Sequence, residues 1–268
     1  MEVANITREK LSNMFAELKR FDNRHLLDIR DIKISYNVSN KAEGSARVKI
    51  GKTDVVVGVK LAPGEPYSDS PDEGNLICSA DLLPLASSRF ESGPPGFEAI
   101  ELSRLVDRAI RESGAIDFKK LVIIEGEKVW SIFVDIYPIN DDGNLIDASN
   151  IGAMAALRKA KIPELGKLGS VDYEKKPTKS LPISEEIMPL SFSFYKLRNS
   201  LILDPTREEE EACETRITFA ISKWNTQYMI NSCQKAGSDT LSQIEIEKIM
   251  NILPKKFDEV SEKLKNFL

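Results

Sequence analysis

VWSIFVDIYPINDDGNLIDASNIGAMAAL, residues 129–157, decides how this chain is built. Its first eleven residues, 129–139, are apolar, β-branched and aromatic, and read as a strand. A polar turn containing Gly143 follows, and a helix rich in Ala and Gly starts directly after it. Small residues on most faces of that helix suit close packing against other backbone. Such a strand, turn and helix aims free backbone N–H groups outward, and these attract phosphate when a Lys, Arg, Ser or Thr completes the grip. Residues 139–148 supply none of the four. The turn carries Asp141, Asp142 and Asp147 instead, and the next cation is Arg158. The cradle is present and its positive charge is missing.

At 268 residues the chain is long enough to bury roughly 75% of its unfolded surface, as one large domain or two smaller ones. Charged residues are plentiful, Gly and Pro ordinary, so the chain is globular in composition. A formal net charge of −5 argues against generic nucleic-acid affinity and leaves room for a local basic stripe. No apolar run approaches the ~18 residues that span a bilayer. The N-terminus, MEVANITREKLSNMFAELKR, has no apolar centre of the signal-peptide kind. It reads as an amphipathic helix with Leu11, Phe15 and Leu18 on one side. Cys78, Cys213 and Cys233 are odd in number and outside CxxC spacing, the pattern of reduced thiols in a cytosolic protein. His25 is the single histidine, so histidine relays and His-rich zinc sites would all have to run through it. It sits in the polar stretch FDNRHLLD and reads as a surface residue.

Working outward from the opening stretch, residues 29–36, 46–50 and 54–61 are short and β-branched, separated by the turns KAEGS and GKTD, and form an antiparallel meander. Residues 75–83 give another strand. SSRFESGPPGFE cannot be helical through its Gly-Pro-Pro-Gly core and is a loop. Glu98 to Ser113 is a helix, with Ile100, Leu105, Val106, Ala109 and Ile110 turned inward. LVIIEG precedes the opening strand. Residues 163–185 lose periodicity and mark a linker. Beyond it MPLSFSFY, SLILD, TRITFAIS and QYMINSC are strands, and residues 240–267 close the chain as a helix carrying Leu241, Ile244, Ile249, Ile252, Leu253, Phe257, Val260 and Leu264. Both halves run strands then helix. The expected class is α+β, a two-layer α/β arrangement of two related modules, 21–165 and 166–268, behind an N-terminal helical extension at 1–20.

FDNRHLLDIRDIKI, KAEGSARVKIGKTDVVVGVKL, EGNLICSADLLPLA, GPPGFEAIELSRLVDRAIRESGAIDFKKLVI and GNLIDASNIGAMAAL, taken in order, resemble the RNase PH family of phosphorolytic exoribonucleases. Within it they are most similar to the non-catalytic ring subunit of the archaeal exosome. The resemblance runs from about Phe21 to the closing helix. It implies an RNase PH-like fold of two modules and a cytoplasmic hexameric ring made of three heterodimers, each pairing this chain with a catalytic RNase PH-like subunit. RNA and RNA-binding cap subunits are the other implied partners; a membrane is not one.

Active members of that family cleave RNA from its 3′ end with inorganic phosphate. A Gly-Thr-Arg turn holds the phosphate, and a spaced pair of aspartates supports metal binding or proton transfer. The resemblance places Ile146 where the arginine belongs, within Gly143-Asn144-Leu145-Ile146. Two unit charges ~4 Å apart interact by ~4 kcal/mol at an effective dielectric of about 20. Losing that attraction outweighs the ~0.3–1 kcal/mol that a helix terminus offers an anion, and the aspartates are expected to repel phosphate. In LILDPTREEEEACETRITF the acidic positions fall on Glu210 and Arg216, and a guanidinium neither ligates Mg²⁺ nor gives up its proton. The run Glu208–Glu211 reads as a solvated turn. No catalytic residue, metal site or cofactor is therefore expected. The alternative is an active phosphorolytic 3′→5′ exoribonuclease whose phosphate is held by cations remote in sequence.

Arg104, Arg108 and Arg111 recur at i, i+4 and i+7 on the helix 98–113 and form one cationic face. Composition alone reads it as a surface stripe paired with Glu101, Asp107 or Glu112. The family setting makes it an RNA-phosphate or subunit-interface element, reading backbone and not sequence. Trp130 and Phe133 read as packing residues and Phe97 as exposed. Arg24 stands in a family segment where a structural and an RNA-binding role are both open.

Overall fold

Between Thr53 and Gly64 the residues Val55, Val57, Val59 and Leu61 are buried and Val56, Gly58 and Lys60 between them are half-buried, the signature of a strand with one face on a core. The computed structural model describes residues 4–166, 170–172 and 174–265. In chain order it contains α1 (Asn5–Ala16), β1 (Ile32–Tyr36), β2 (Gly44–Ile50), β3 (Thr53–Gly64), β4 (Asn75–Ala80), α2 (Phe97–Arg111), β5 (Val122–Ile124), β6 (Lys128–Asn140) and α3 (Leu145–Lys159). The second half contains β7 (Lys161–Ile162), β8 (Lys179–Ser180), β9 (Leu190–Leu197), β10 (Ser200–Leu203), α4 (Arg207–Ala212), β11 (Thr215–Trp224), β12 (Gln227–Gly237) and α5 (Gln243–Leu264).

The first sheet runs β1-β2-β3-β6-β4, with β5 on the end of β6; every pairing is antiparallel except β4 with β6. The second runs β10-β9-β11-β12 and is antiparallel throughout. The meander and the α+β class read from the sequence are both present.

Helix α3 lies between the two sheets, and every residue from Leu145 to Leu157 is buried. This is why its sequence is Ala- and Gly-rich: it packs against β2 and β3 on one side and β9 on the other. A Cβ on Gly44 of β2 would come within 2.3 Å of the Ala156 carbonyl oxygen, and one on Gly152 within 2.8 Å of Val57. Strand β9 is buried from end to end. Ser191 and Ser193 face α3, while Lys196 on the opposite face reaches Glu245 of α5. The layers are therefore sheet, the helices α2 and α3, sheet, and α5.

Three inward assignments fail at helix ends. Leu18 follows the end of α1, with φ +60°, and is exposed. Ile100 is 48% exposed and Leu102 takes the inward position in its place; Ile244 is 78% exposed in the first turn of α5. Terminal turns have packing neighbours on fewer sides, so periodicity extended to them overshoots. Strand β4 stops at Ala80, short of the expected residue 83. Leu11 and Phe15 of α1 are fully buried against Tyr195, Leu197, Ile202 and Ala212, so α1 docks on the second sheet.

Candidate functional site

The turn between β6 and α3 takes left-handed backbone at two successive residues, Gly143 (φ +82°) and Asn144 (φ +60°), and this swings the chain into α3. A Cβ on Gly143 would come within 2.6 Å of the Pro205 carbonyl oxygen, because residues 205–207 pack directly onto the turn. Arg30 holds the two segments together. Its guanidinium donates to the carbonyls of Asp142 (2.9 Å), Gly143 (3.2 Å) and Pro205 (3.2 Å) and to both carboxylate oxygens of Asp204. Burial alone would raise the Asp204 carboxyl; the hydrogen bonds and charge of Arg30, with Arg24 adding to them, outweigh burial and hold it below the usual range.

The N–H of Asn144, at the mouth of the cradle, is not free. It donates to Oε2 of Glu210 at 3.0 Å, and the Tyr195 hydroxyl donates to Oε1 at 2.9 Å. Burial first, and the adjacent Glu210 charge second, push the Tyr195 hydroxyl well above its ordinary value, so it stays protonated and keeps donating. A carboxylate of the chain itself sits where the sequence expected an empty anion seat.

Around Glu210 lies a cleft of about 330 Å³ whose lining includes Leu145, Ile146, Tyr195, Arg207 and Arg216. Ile146, Glu210 and Arg216, singled out from sequence, are thus brought to one pocket.

Two expectations about charge are corrected. The three aspartates are not aimed at the cradle mouth. The Asp141 side chain is buried, paired with Arg89 (3.0 Å) and Arg207 (3.8 Å) and accepting the Gly143 N–H one residue before the mouth, and Asp142 is paired with Arg30 (3.2 Å). Asp147 points inward and accepts both the N–H and the hydroxyl of Ser193. Nor is the site short of cations: Arg89, Arg207 and Arg216 arrive from distant parts of the chain. Each is neutralised. Glu98, Arg89, Asp141, Arg207 and Glu211 form a chain of alternating charges, and Arg216 pairs with Glu101 at 2.8 Å. Charges that satisfy one another leave little field for an incoming anion.

The Glu208–Glu211 run is likewise not a solvated turn. Thr206 and Glu209 form a capping box that starts α4. Glu209 is buried, paired with the buried Arg20; Glu210 seals the cradle and Glu211 holds Arg207. Only Glu208 of the four is exposed. Among the described residues no group of His, Cys, Asp and Glu has the arrangement that would hold a metal ion.

The cationic face of α2 divides. Arg111 turns back to Asp107 and the Leu76 carbonyl. Arg104 is exposed and Arg108 half-buried, and neither has an ion-pair partner among the described residues. Arg24 is engaged by Asp22 and Asp204, a structural placement. His25 is exposed, Trp130 buried, Phe133 half-buried, and Phe97 is 78% exposed. Sequence reasoning missed Arg30, Arg89, Tyr195, Asp204 and Arg207. The one local signal was Thr206 three residues before Glu209, which announces a helix start.

The chain matches the 3′ exoribonuclease family, domain 1, over residues 28–163 and domain 2 over residues 188–252. It belongs to the 3′ exoribonuclease (RNase PH) family. The exosome complex component Rrp42 of Methanocella arvoryzae is 42% identical to it, covering 98% of this chain and 96% of that protein. A chain of the solved Archaeoglobus fulgidus exosome with RNA bound to the active site is 41% identical, with a TM-score of 0.88 over 97% of this chain and 98% of that one. A chain of a solved archaeal exosome core is 39% identical, with a TM-score of 0.80 over 92% of each. In this RNase PH-family member the cleft lies between the two matched domains. Domain 1 contributes Glu101, Leu145 and Ile146, and domain 2 contributes Tyr195, Arg207, Glu210 and Arg216.

Proposed function

We propose that this chain is a non-catalytic subunit of an archaeal exosome ring, pairing with a catalytic RNase PH-like subunit and helping to shape its active site. Three such heterodimers form a hexameric cytoplasmic ring, to which RNA-binding cap subunits attach and through which RNA is degraded. The observation that carries the reading is Glu210 on the Asn144 N–H, in a pocket where Ile146 stands at the family's arginine position. Relatives called exosome component Rrp42, alike over nearly their whole length, support the assembly. Arg104 and Arg108 are the RNA-phosphate or interface residues in this scheme. Arg111, held by Asp107, contributes through the position of α2.

The alternative, an active phosphorolytic enzyme with remote cations, has Arg89, Arg207 and Arg216 in its favour, since they do converge. Their pairing with Asp141, Glu211 and Glu101 weighs against it. One assay separates the two. The purified chain is incubated with RNA, inorganic phosphate and Mg²⁺, and no nucleoside diphosphates are expected. Release that is lost in Glu210→Ala would overturn the silent reading.

A further inference from the structure

Glu210 is surrounded by groups that would receive an inorganic anion. Its Oε2 accepts the N–H of Asn144, the N-cap of a 15-residue helix, its Oε1 accepts a tyrosine hydroxyl, and the Arg207 guanidinium stands 3.8 Å from Oε2. The same cleft is lined by Arg216, whose guanidinium pairs with Glu101 through a terminal N–H and keeps a buried Nε–H with no hydrogen-bond partner. A buried guanidinium N–H left unpaired is a donor waiting for an acceptor. Glu210 is not there by accident of rotamer. Its helix α4 is started by the Thr206–Glu209 capping box and fastened through the buried Arg20–Glu209 pair, which fixes where residue 210 points.

We infer that Glu210 is an internal substitute for an oxyanion. The cleft is a latent phosphate-class site that the chain keeps closed with its own carboxylate, and the charge at position 210, together with the loss of a cation at 146, makes it reject free phosphate. The inference rests on the silent reading of this pocket, but concerns binding and not turnover. It makes Glu210 the residue that sets the charge selectivity of the cleft. Neutralising it leaves the helix N-terminus, the Tyr195 hydroxyl, the buried Arg216 Nε–H and the carboxylate-paired Arg207 in place, with one negative charge fewer to balance them.

The test uses the full chain as wild type, Glu210→Gln and Glu210→Ala, titrated with inorganic phosphate while the backbone amides of residues 144–147 are followed by NMR, with chloride at matched ionic strength as the control. Saturable shifts at Asn144 are expected in both variants at phosphate concentrations about tenfold or more below any that move the wild type. Glu210→Gln keeps the side-chain volume and an acceptor for Asn144, so it decides the matter if the Ala variant does not fold. Equal response of wild type and folded Glu210→Gln, or shifts that chloride reproduces, would overturn the inference. Nucleoside diphosphate release by the wild type, without any phosphate response at Asn144, would remove the silent-subunit reading and leave this inference standing.

Discussion

Glu209 and Glu210 are neighbours in sequence and do opposite jobs. Glu209 is buried against Arg20, which also donates to the carbonyls of Leu203 and Asp204. Removing one member of such a pair strands the other charge, at roughly 3–5 kcal/mol. Glu209→Gln should therefore lower unfolding stability by that order in chemical denaturation, while Glu208→Gln on the exposed side should change it by less than about 0.5 kcal/mol. Asp147 provides a pH signature. Burial raises its carboxyl from 3.8 to about 7, against the lowering effect of the Ser193 hydrogen bonds. Folding thus favours the protonated form. The contribution is complete below about pH 3.8 and is lost as pH rises to about 7. Over that interval the wild type should lose stability relative to Asp147→Asn by about 1.4 kcal/mol per pH unit, and by nothing further above it. Denaturation curves at about pH 5, 6, 7 and 8 check the slope, and parallel profiles for the two proteins would refute it.

At the scale of elements, α2 carries the cationic face proposed to meet RNA phosphate or a neighbouring subunit. Its cations were legible from spacing, but the spacing could not say that Arg111 is spent on Asp107 and the Leu76 carbonyl. The open charges are Arg104 and Arg108. Replacing both with Glu should weaken RNA binding by the proposed ring across all sequences alike and reduce the salt slope by roughly one for each phosphate no longer neutralised. Unchanged affinity and slope would assign both to surface solvation or to an interface. Helix α3 shows a different relation between sequence and element. Its small residues foretold tight packing, and the reason proved to be its place between two sheets, where Gly44 and Gly152 let backbone approach backbone.

For the whole molecule, several large apolar side chains among the described residues stay exposed. Phe97 and Ile100 project from the start of α2 at 78% and 48% exposure, and Trp224, Met229 and Ile230 are exposed along the hairpin joining β11 and β12. The proposed ring would supply a partner surface for such side chains. Phe97→Asp with Ile100→Asp should leave the single chain folded and reduce co-assembly with the catalytic subunit, read as mass in solution. Full-sized rings from the double variant would place the interface elsewhere. Among the described residues no helix is long and apolar enough to cross a membrane.

What the sequence determined by itself was local. Strand alternation, the β1–β3 meander, the glycine turn before α3 and the isoleucine at position 146 are each specified by neighbours a few residues apart, where backbone sterics and side-chain period act directly. What only the tertiary structure decided was the electrostatics of the cleft. Arg30, Arg89 and Arg207 reach Asp141, Asp142 and Gly143 across long stretches of chain, and Glu210 meets Asn144 across two modules. Coulomb energy depends on distance in space, and the distances here are set by how the two sheets close on α3. The sequence could therefore show that the turn lacked its own cation. It took the fold to show that a glutamate of the same chain already occupies the seat.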